Sequence, residues 1–277
     1  MRIGIVTDEI SLDIREAFSL GVSWGIHDFE FRSSTSGRVP NVSSEDVRVI
    51  LQMKKEFSAT ITALSPGTFR CLVDDKEAID KELNQVLPET IKLAHKLDTS
   101  LIITFGFLKS VGLEESDFEQ VVEVLQRAAE LAKREGITLA LENEPGFWAD
   151  SGKKMARILT AVNSTHLLAS WSPANALGAE NYPFPVGYEA VKRWITNVHI
   201  KDAIKGSTLA CVPIGEGKVN WEGQLRTLVK EEKLSCLTIE TGCPPLVENS
   251  KKNVETVTRI IKKIETEPAH EVRVSRA

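Results

Sequence analysis

A chain of 277 residues can bury a full hydrophobic core and suits one large α/β barrel or two smaller domains. With 42% hydrophobic and 26% charged residues it is ordinarily globular; at a net charge of −5 its basic residues are dispersed among acidic ones, which excludes an extended nucleic-acid face but not a local basic groove. No stretch approaches the roughly 20 apolar residues of a membrane span, and the run Met1 to Asp8 is too short for a signal peptide, so a soluble, cytoplasmic protein with no membrane or nucleic-acid partner is expected.

Apolar, β-rich runs alternate with helical patterns along the whole chain, the signature of a parallel sheet built from strand-helix units. Strands are expected over 2–7 (RIGIVT), 26–31 (IHDFEF), 59–64 (ATITAL), 100–105 (SLIITF), 137–142 (ITLALE), 167–172 (LLASWS), 196–201 (TNVHIK) and 236–240 (CLTIE). Helices are expected over 11–20, 43–57, 76–97, 116–135, 152–162, 188–194, 221–232 and 249–265. In the longest of these regions Leu83, Val86, Leu87, Ile91 and Leu97 recur at helical intervals, and Ser116 with Glu119 reads as a capping box. Eight strand-helix pairs in this length predict a single (β/α)8 TIM barrel over 1–267, followed by a polar, mobile C-terminal tail over 268–277.

Loop lengths give the barrel its polarity. Helix-to-strand links are short, as at 134–136 and 162–165, whereas strand-to-helix links are long, at 32–42, 106–115, 172–187 and 202–219. Loops that lengthen at one end only mark the C-terminal face, where barrel active sites are built. The four cysteines, Cys71, Cys211, Cys236 and Cys243, form no CxxC and read as reduced thiols, most of them structural.

Three strand ends carry the chemistry. In Asn197-Val-His-Ile-Lys-Asp202 alternation sends Val198 and Ile200 towards covering helices and His199 inwards. Leu139 and Leu141 likewise turn Glu142 inwards, and Leu237 and Ile239 do the same for Glu240. Each alone reads as well as a packing group paired with a buried cation such as Lys201. Together, unpaired carboxylates in a low-dielectric interior would repel one another unless a cation joined them. Two carboxylates and an imidazole suit Mn²⁺, Co²⁺, Mg²⁺ or Zn²⁺.

The segments LENE (141–144), WSPAN (171–175), HIKD (199–202), PIGEGKVNW (213–221) and IETG (239–242), with FEFR at 29–32, resemble in their order the motif series of the xylose isomerase-like barrel superfamily. That superfamily includes ketose 3-epimerases, hydroxypyruvate isomerases, inosose dehydratases and endonuclease IV-type enzymes. The resemblance implies one divalent metal ion, Mn²⁺ foremost, held by Glu142, His199, Glu240 and the residue at position 172. The family's aspartate is replaced there by Ser172, which can act directly or through water, and a histidine often found at position 175 is replaced by Asn175. Losing one negative charge predicts weaker metal binding. The resemblance further implies that Glu142 and Glu240 remove and return a proton next to a carbonyl through an enediolate. It also implies that Asn175, Lys201 and Asp202 orient hydroxyls and that Trp148 walls a sugar face.

The expected function is therefore a metal-dependent isomerase or epimerase of a keto-sugar, polyol-derived ketone or similar hydroxy-ketone. An inosose-type dehydratase uses the same proton abstraction, and the change at Ser172 motivates a third reading, a non-catalytic carbohydrate- or partner-binding barrel. A repair nuclease needs several histidines for a multi-metal cluster, and this chain has only His27, His95, His166, His199 and His270. The implied partner is a small carbohydrate-like molecule, and a homo-oligomer would follow family habit.

Overall fold

Eight parallel strands, Arg2–Val6, Asp28–Phe31, Thr60–Thr68, Leu101–Thr104, Thr138–Glu142, Leu167–Trp171, Ile195–Ile200 and Cys236–Ile239, close into a barrel in sequence order. The last strand pairs back onto the first, with Arg2 opposite Cys236 and Ile5 opposite Ile239. The structure, a computed structural model, describes residues 1–109, 112, 115–205, 209–232, 234 and 236–267. The tail expected over 268–277 lies outside the described residues.

The surrounding helices are α1 (Ile14–Ser23), α2 (Ser44–Phe57), α3 (Lys76–Lys81), α4 (Leu87–Leu97), α5 (Glu115–Arg134), α6 (Gly152–Val162), α7 (Pro173–Ala176), α8 (Tyr188–Val191), α9 (Trp221–Glu231) and α10 (Leu246–Thr266). All eight expected strands are present, and the differences lie mainly at helix ends and in long loops. A π-helical turn at Glu82–Val86 interrupts the helix expected over 76–97. The helix expected over 188–194 stops at Val191, and α5 already includes Ser116 in its first turn, so Ser116 is not its cap. Two hairpins, Ser33–Ser34 with Gly37–Arg38 and Asp202–Lys205 with Leu209–Val212, rise from the ends of the second and seventh strands.

Outward-facing strand residues form the main core. Leu139, Leu141, Val198, Ile200, Leu237 and Ile239 are all fully buried against helices, each stabilising the fold by roughly 1.5–3 kcal/mol through apolar burial. The inner face carries a small apolar cluster of Ala63, Ile103 and Ala140. It also carries polar pairs: Asn197 Nδ2 donates to Ser170 Oγ at 3.1 Å, and Thr68 and Thr104 hydroxyls meet at 2.8 Å. Small and polar residues inside leave room at the C-terminal mouth for longer charged ones. Caps set the helix starts: Asp13 accepts from the Glu16 N–H at 3.0 Å. Asp13→Ala should cost about 1 kcal/mol of stability, read as a lower urea midpoint at unchanged slope.

All four cysteines are free thiols. Burial, reinforced by nearby acidic groups, pushes Cys71 up to about 11 and Cys236 up to about 12, which keeps both unreactive as nucleophiles. Among the described residues no helix is long and apolar enough to cross a membrane.

Candidate active site

The mouth formed by the strand ends holds a polar cavity of about 270 Å³. Its charged lining comprises four carboxylates, Glu30, Glu142, Glu144 and Glu240, facing Arg32, Arg38, Arg70 and Lys201, with His199 between them. Larger hollows of about 560 and 440 Å³ lie outside the barrel against α5, and one of about 370 Å³ lies at the opposite end of the strands. Among the described residues, the one group of three ligand-bearing side chains is Glu142, His199 and Glu240, with ligand atoms all within 4.8 Å of one another.

Alternation brings these three together. Thr238 lies in register with His199, so the eighth strand delivers Glu240 two residues further on beside the histidine. Nδ1 of His199 is 3.0 Å from Glu142 Oε1 and 3.6 Å from Glu240 Oε2, while Nε2 is 2.9 Å from Glu30 Oε2. Glu30 is itself held by the Ser65 hydroxyl. Burial opposes charge on His199, but the Glu30 and Glu142 carboxylates outweigh it and raise its pKa well above the ordinary value. A carboxylate on Nε2 is also what orients a metal-ligating histidine with Nδ1 directed at the ion.

Glu240 has more cationic company than the sequence suggested. Lys201 Nζ lies 2.8 Å from one carboxylate oxygen and Arg32 2.9 Å from the other. Arg32 also reaches Asp8 at 2.9 Å and Glu9 at 2.7 Å. Burial works to raise the Glu240 pKa, yet Lys201, His199 and Arg32 hold it well below the usual carboxylate range. The expected need for a metal to relieve carboxylate repulsion is thus corrected, because the chain supplies its own cations. The case for a metal rests instead on the donor set: two carboxylates and an imidazole nitrogen converging within one cavity, with the imidazole braced from behind. These residues fit a divalent ion.

The remaining expected site residues fall into different places. Ser172 is fully buried, its Oγ has no hydrogen-bond partner, and its backbone is clamped by Asn143, which accepts from its N–H and donates to its C=O at 2.8 Å each. Asn175 donates to Glu142 at 3.3 Å, to Glu144 at 2.8 Å and to the Asn143 carbonyl at 2.9 Å, so it orients two carboxylates. Asp202 turns away from the cavity. Its buried carboxylate accepts backbone N–H groups from Ala203, Gly215, Gly217 and Val219 at 2.9–3.2 Å. A Cβ at Gly217 would overlap that carboxylate, which explains the glycine. Trp148 is buried against Phe118 with ring centroids 6.1 Å apart and does not line the cavity; the aromatic surface there belongs to Phe105.

Sequence reasoning assigned no role to Glu30, Ser65, Arg38, Arg70 or Glu144. A signal existed for the first, since Glu30 and Arg32 are two apart in FEFR and therefore share the inward face. Glu144 is pushed above its ordinary pKa by burial and by Glu142, against the pull of Lys201 and Arg70.

A model of the xylose isomerase-like TIM barrel family matches residues 18–264. No curated protein matches the sequence at a significant level. Similar solved structures include the IOLI protein with a zinc atom, at 16% identity and a TM-score of 0.79, covering 96% of this chain and 100% of that one. The probable 3-DHS dehydratase AsbF from Bacillus anthracis is 17% identical with a TM-score of 0.77, covering 93% of this chain and 99% of that one. D-allulose 3-epimerase from Methylomonas sp., in complex with D-allulose, is 16% identical with a TM-score of 0.76, covering 94% and 96%. At such identities the likeness is one of fold. The match over most of the chain, on a closed eight-stranded barrel, places this protein in the xylose isomerase-like TIM barrel family.

Proposed function

We propose that this protein is a metal-assisted isomerase or epimerase of a keto-sugar, a polyol-derived ketone or a similar hydroxy-ketone. The observation that carries the reading is the convergence of Glu142, His199 and Glu240 within 4.8 Å at the C-terminal mouth. Solved structures of the same fold include a ketose 3-epimerase with its sugar and a zinc-bearing protein, which supports the reading by analogy.

Glu142, Nδ1 of His199 and Glu240 would hold one divalent ion, Mn²⁺ foremost among Mn²⁺, Mg²⁺, Co²⁺ and Zn²⁺, with Ser172 contributing directly or through a water. A bound ion supplies Lewis-acid stabilisation for negative charge developing on a carbonyl oxygen. Glu142 and Glu240 are the proton-transfer pair at the carbon beside that carbonyl, one removing the proton and the other returning it. Lys201 and Arg32 keep Glu240 ionised and fix its two oxygens, and Asn175 fixes Glu142. The clamp of Asn143 on residue 172 holds the ends of the fifth and sixth strands together beneath the cavity.

The test is a screen of keto-sugars in heavy water with the metal-supplemented protein. Deuterium is expected to enter one carbon next to the carbonyl. Loss of water from the substrate would instead identify a dehydratase, and a fully metal-loaded protein silent across the screen would favour a carbohydrate-binding barrel without turnover. Metal analysis should find one divalent ion per chain, readily stripped; two or three tightly held zinc ions would contradict the proposal. Ser172→Asp adds a third carboxylate, as the fourth ligand of the set, and should tighten metal binding at least about tenfold, or 1.4 kcal/mol, measured by competition with a fluorescent chelator. Unchanged affinity would show that position 172 does not reach the ion.

A further inference from the structure

We propose that the substrate carries an oxyanion, a carboxylate or a phosphate, which docks between Arg38 and Arg70 at the rim of the cavity. The inference deepens the isomerase reading and rests on it for the rest of the ligand, a polyhydroxy-ketone.

The two guanidiniums line the same cavity as Glu142, His199 and Glu240, but they are not absorbed into its ion-pair network as Arg32 and Lys201 are. The one side-chain hydrogen bond of Arg38 among the described residues runs from Nε to the Pro66 carbonyl at 2.9 Å, which leaves both terminal nitrogens without a carboxylate. Arg70 touches Glu144 at 3.4 Å, longer than an ordinary charge-assisted bond. Burial, then Arg32 and Arg70, push the Arg38 guanidinium below its usual pKa, against the pull of Asp8 and Glu142. Although four carboxylates also line the cavity, the repulsion of Arg38 by Arg32 and Arg70 outweighs its attraction to Asp8 and Glu142, and an anionic ligand relieves that repulsion.

Both arginines are also built into position. Gly67 takes a left-handed φ of 81°, and a Cβ there would sit 3.0 Å from the Arg38 guanidinium, so the side chain rests on bare backbone. Arg70 lies over two rings, 4.4 Å from the centroid of Phe105 and 5.1 Å from that of Phe147. The residue before it, Phe69, is fully buried at a φ of 61°, a conformation costly for an aromatic residue and held by packing on Phe107 at 5.2 Å. A strained backbone locked directly before a stacked, half-exposed arginine is the construction of a binding group. A planar guanidinium fork suits carboxylate or phosphate oxygens and gains little from a neutral hydroxymethyl.

Three ligands that differ only at carbon six separate the outcomes: D-tagatose, D-tagaturonate and D-tagatose 6-phosphate, titrated calorimetrically into the metal-supplemented protein at low salt. At least one anionic ligand should bind 10- to 100-fold more tightly than tagatose, consistent with one or two charged hydrogen bonds, and the tighter of the two identifies the oxyanion. The advantage should shrink with added salt and fall to near unity in R38M/R70M. Arg70→Lys, which keeps the charge but not the fork, should retain part of it, and circular dichroism confirms that the variants fold. The proposal is overturned if neither anion outbinds tagatose, if no ligand binds, or if the advantage survives the double substitution. Anion preference without deuterium exchange leaves the subsite standing and removes the isomerase reading; exchange into tagatose without anion preference does the reverse.

Discussion

Glu240→Gln is expected to lower deuterium exchange into substrate by about 10²- to 10⁴-fold, the usual worth of a positioned acid or base. The same change should destabilise the protein, because the carboxylate is the shared partner of Lys201 and Arg32 in a region where Glu240 is 14% and Lys201 11% exposed. Breaking a buried pair from one side typically costs about 3–5 kcal/mol. Arg32 keeps Asp8 and Glu9, so the penalty falls mainly on Lys201, whose ammonium loses its ion-pair partner. The double variant Glu240→Gln/Lys201→Met separates the two consequences. Removing both charges should return most of the stability in chemical denaturation and none of the exchange. Recovery of exchange in the double variant would mean that Glu240 serves only to neutralise Lys201.

Asp202→Ala should be among the most destabilising single substitutions in the chain, by about 3 kcal/mol or more. Its carboxylate is fully buried and satisfies four backbone N–H groups, at 2.9 Å for Ala203, 3.0 Å for Gly215, 3.2 Å for Gly217 and 3.1 Å for Val219. Among the described residues the Gly215, Gly217 and Val219 donors have no other acceptor, and an unpaired buried donor bears its full desolvation penalty. Asp202→Asn should fall between wild type and alanine, because one oxygen remains to accept and the amide group cannot. Denaturant midpoints measure both. A group orienting a sugar hydroxyl would instead weaken ligand binding at unchanged stability. The turn it anchors leads through Asn220, which caps α9 by accepting from the Gly223 N–H at 3.0 Å.

Asp202 and His199 show where reading along the chain succeeds and where it stops. Both stand in HIKD, His199 expected to face inwards as a metal ligand and Asp202 to orient a substrate hydroxyl. His199 lies within a strand, where direction follows from alternation with Val198 and Ile200, so its inward orientation is a local property. Asp202 begins the hairpin that follows, and its partners lie 13 to 17 residues ahead at Gly215, Gly217 and Val219, a separation that no short-range period encodes. Trp148 fails in the same way: a loop tryptophan can wall a cavity or pack beneath it, and Phe118 of α5 settles which.

The barrel itself was legible from sequence because its two periods, two residues for strands and 3.6 for helices, are written into consecutive side chains, and loops lengthen on one side only. The inward placement of Glu142, His199 and Glu240 follows from that same alternation. The charge balance around them does not. Arg32 meets Glu240 across 208 residues of chain, Glu30 meets His199 across 169, and Arg38 and Arg70 reach the rim from a hairpin and from a strained turn. Closure of the cylinder brings the first and last strands together and decides which charges share one cavity. The sequence thus determined which carboxylates and which histidine point inwards, and only the tertiary structure decided which cations stand beside them, because alternation is local and ion pairing across a closed barrel is not.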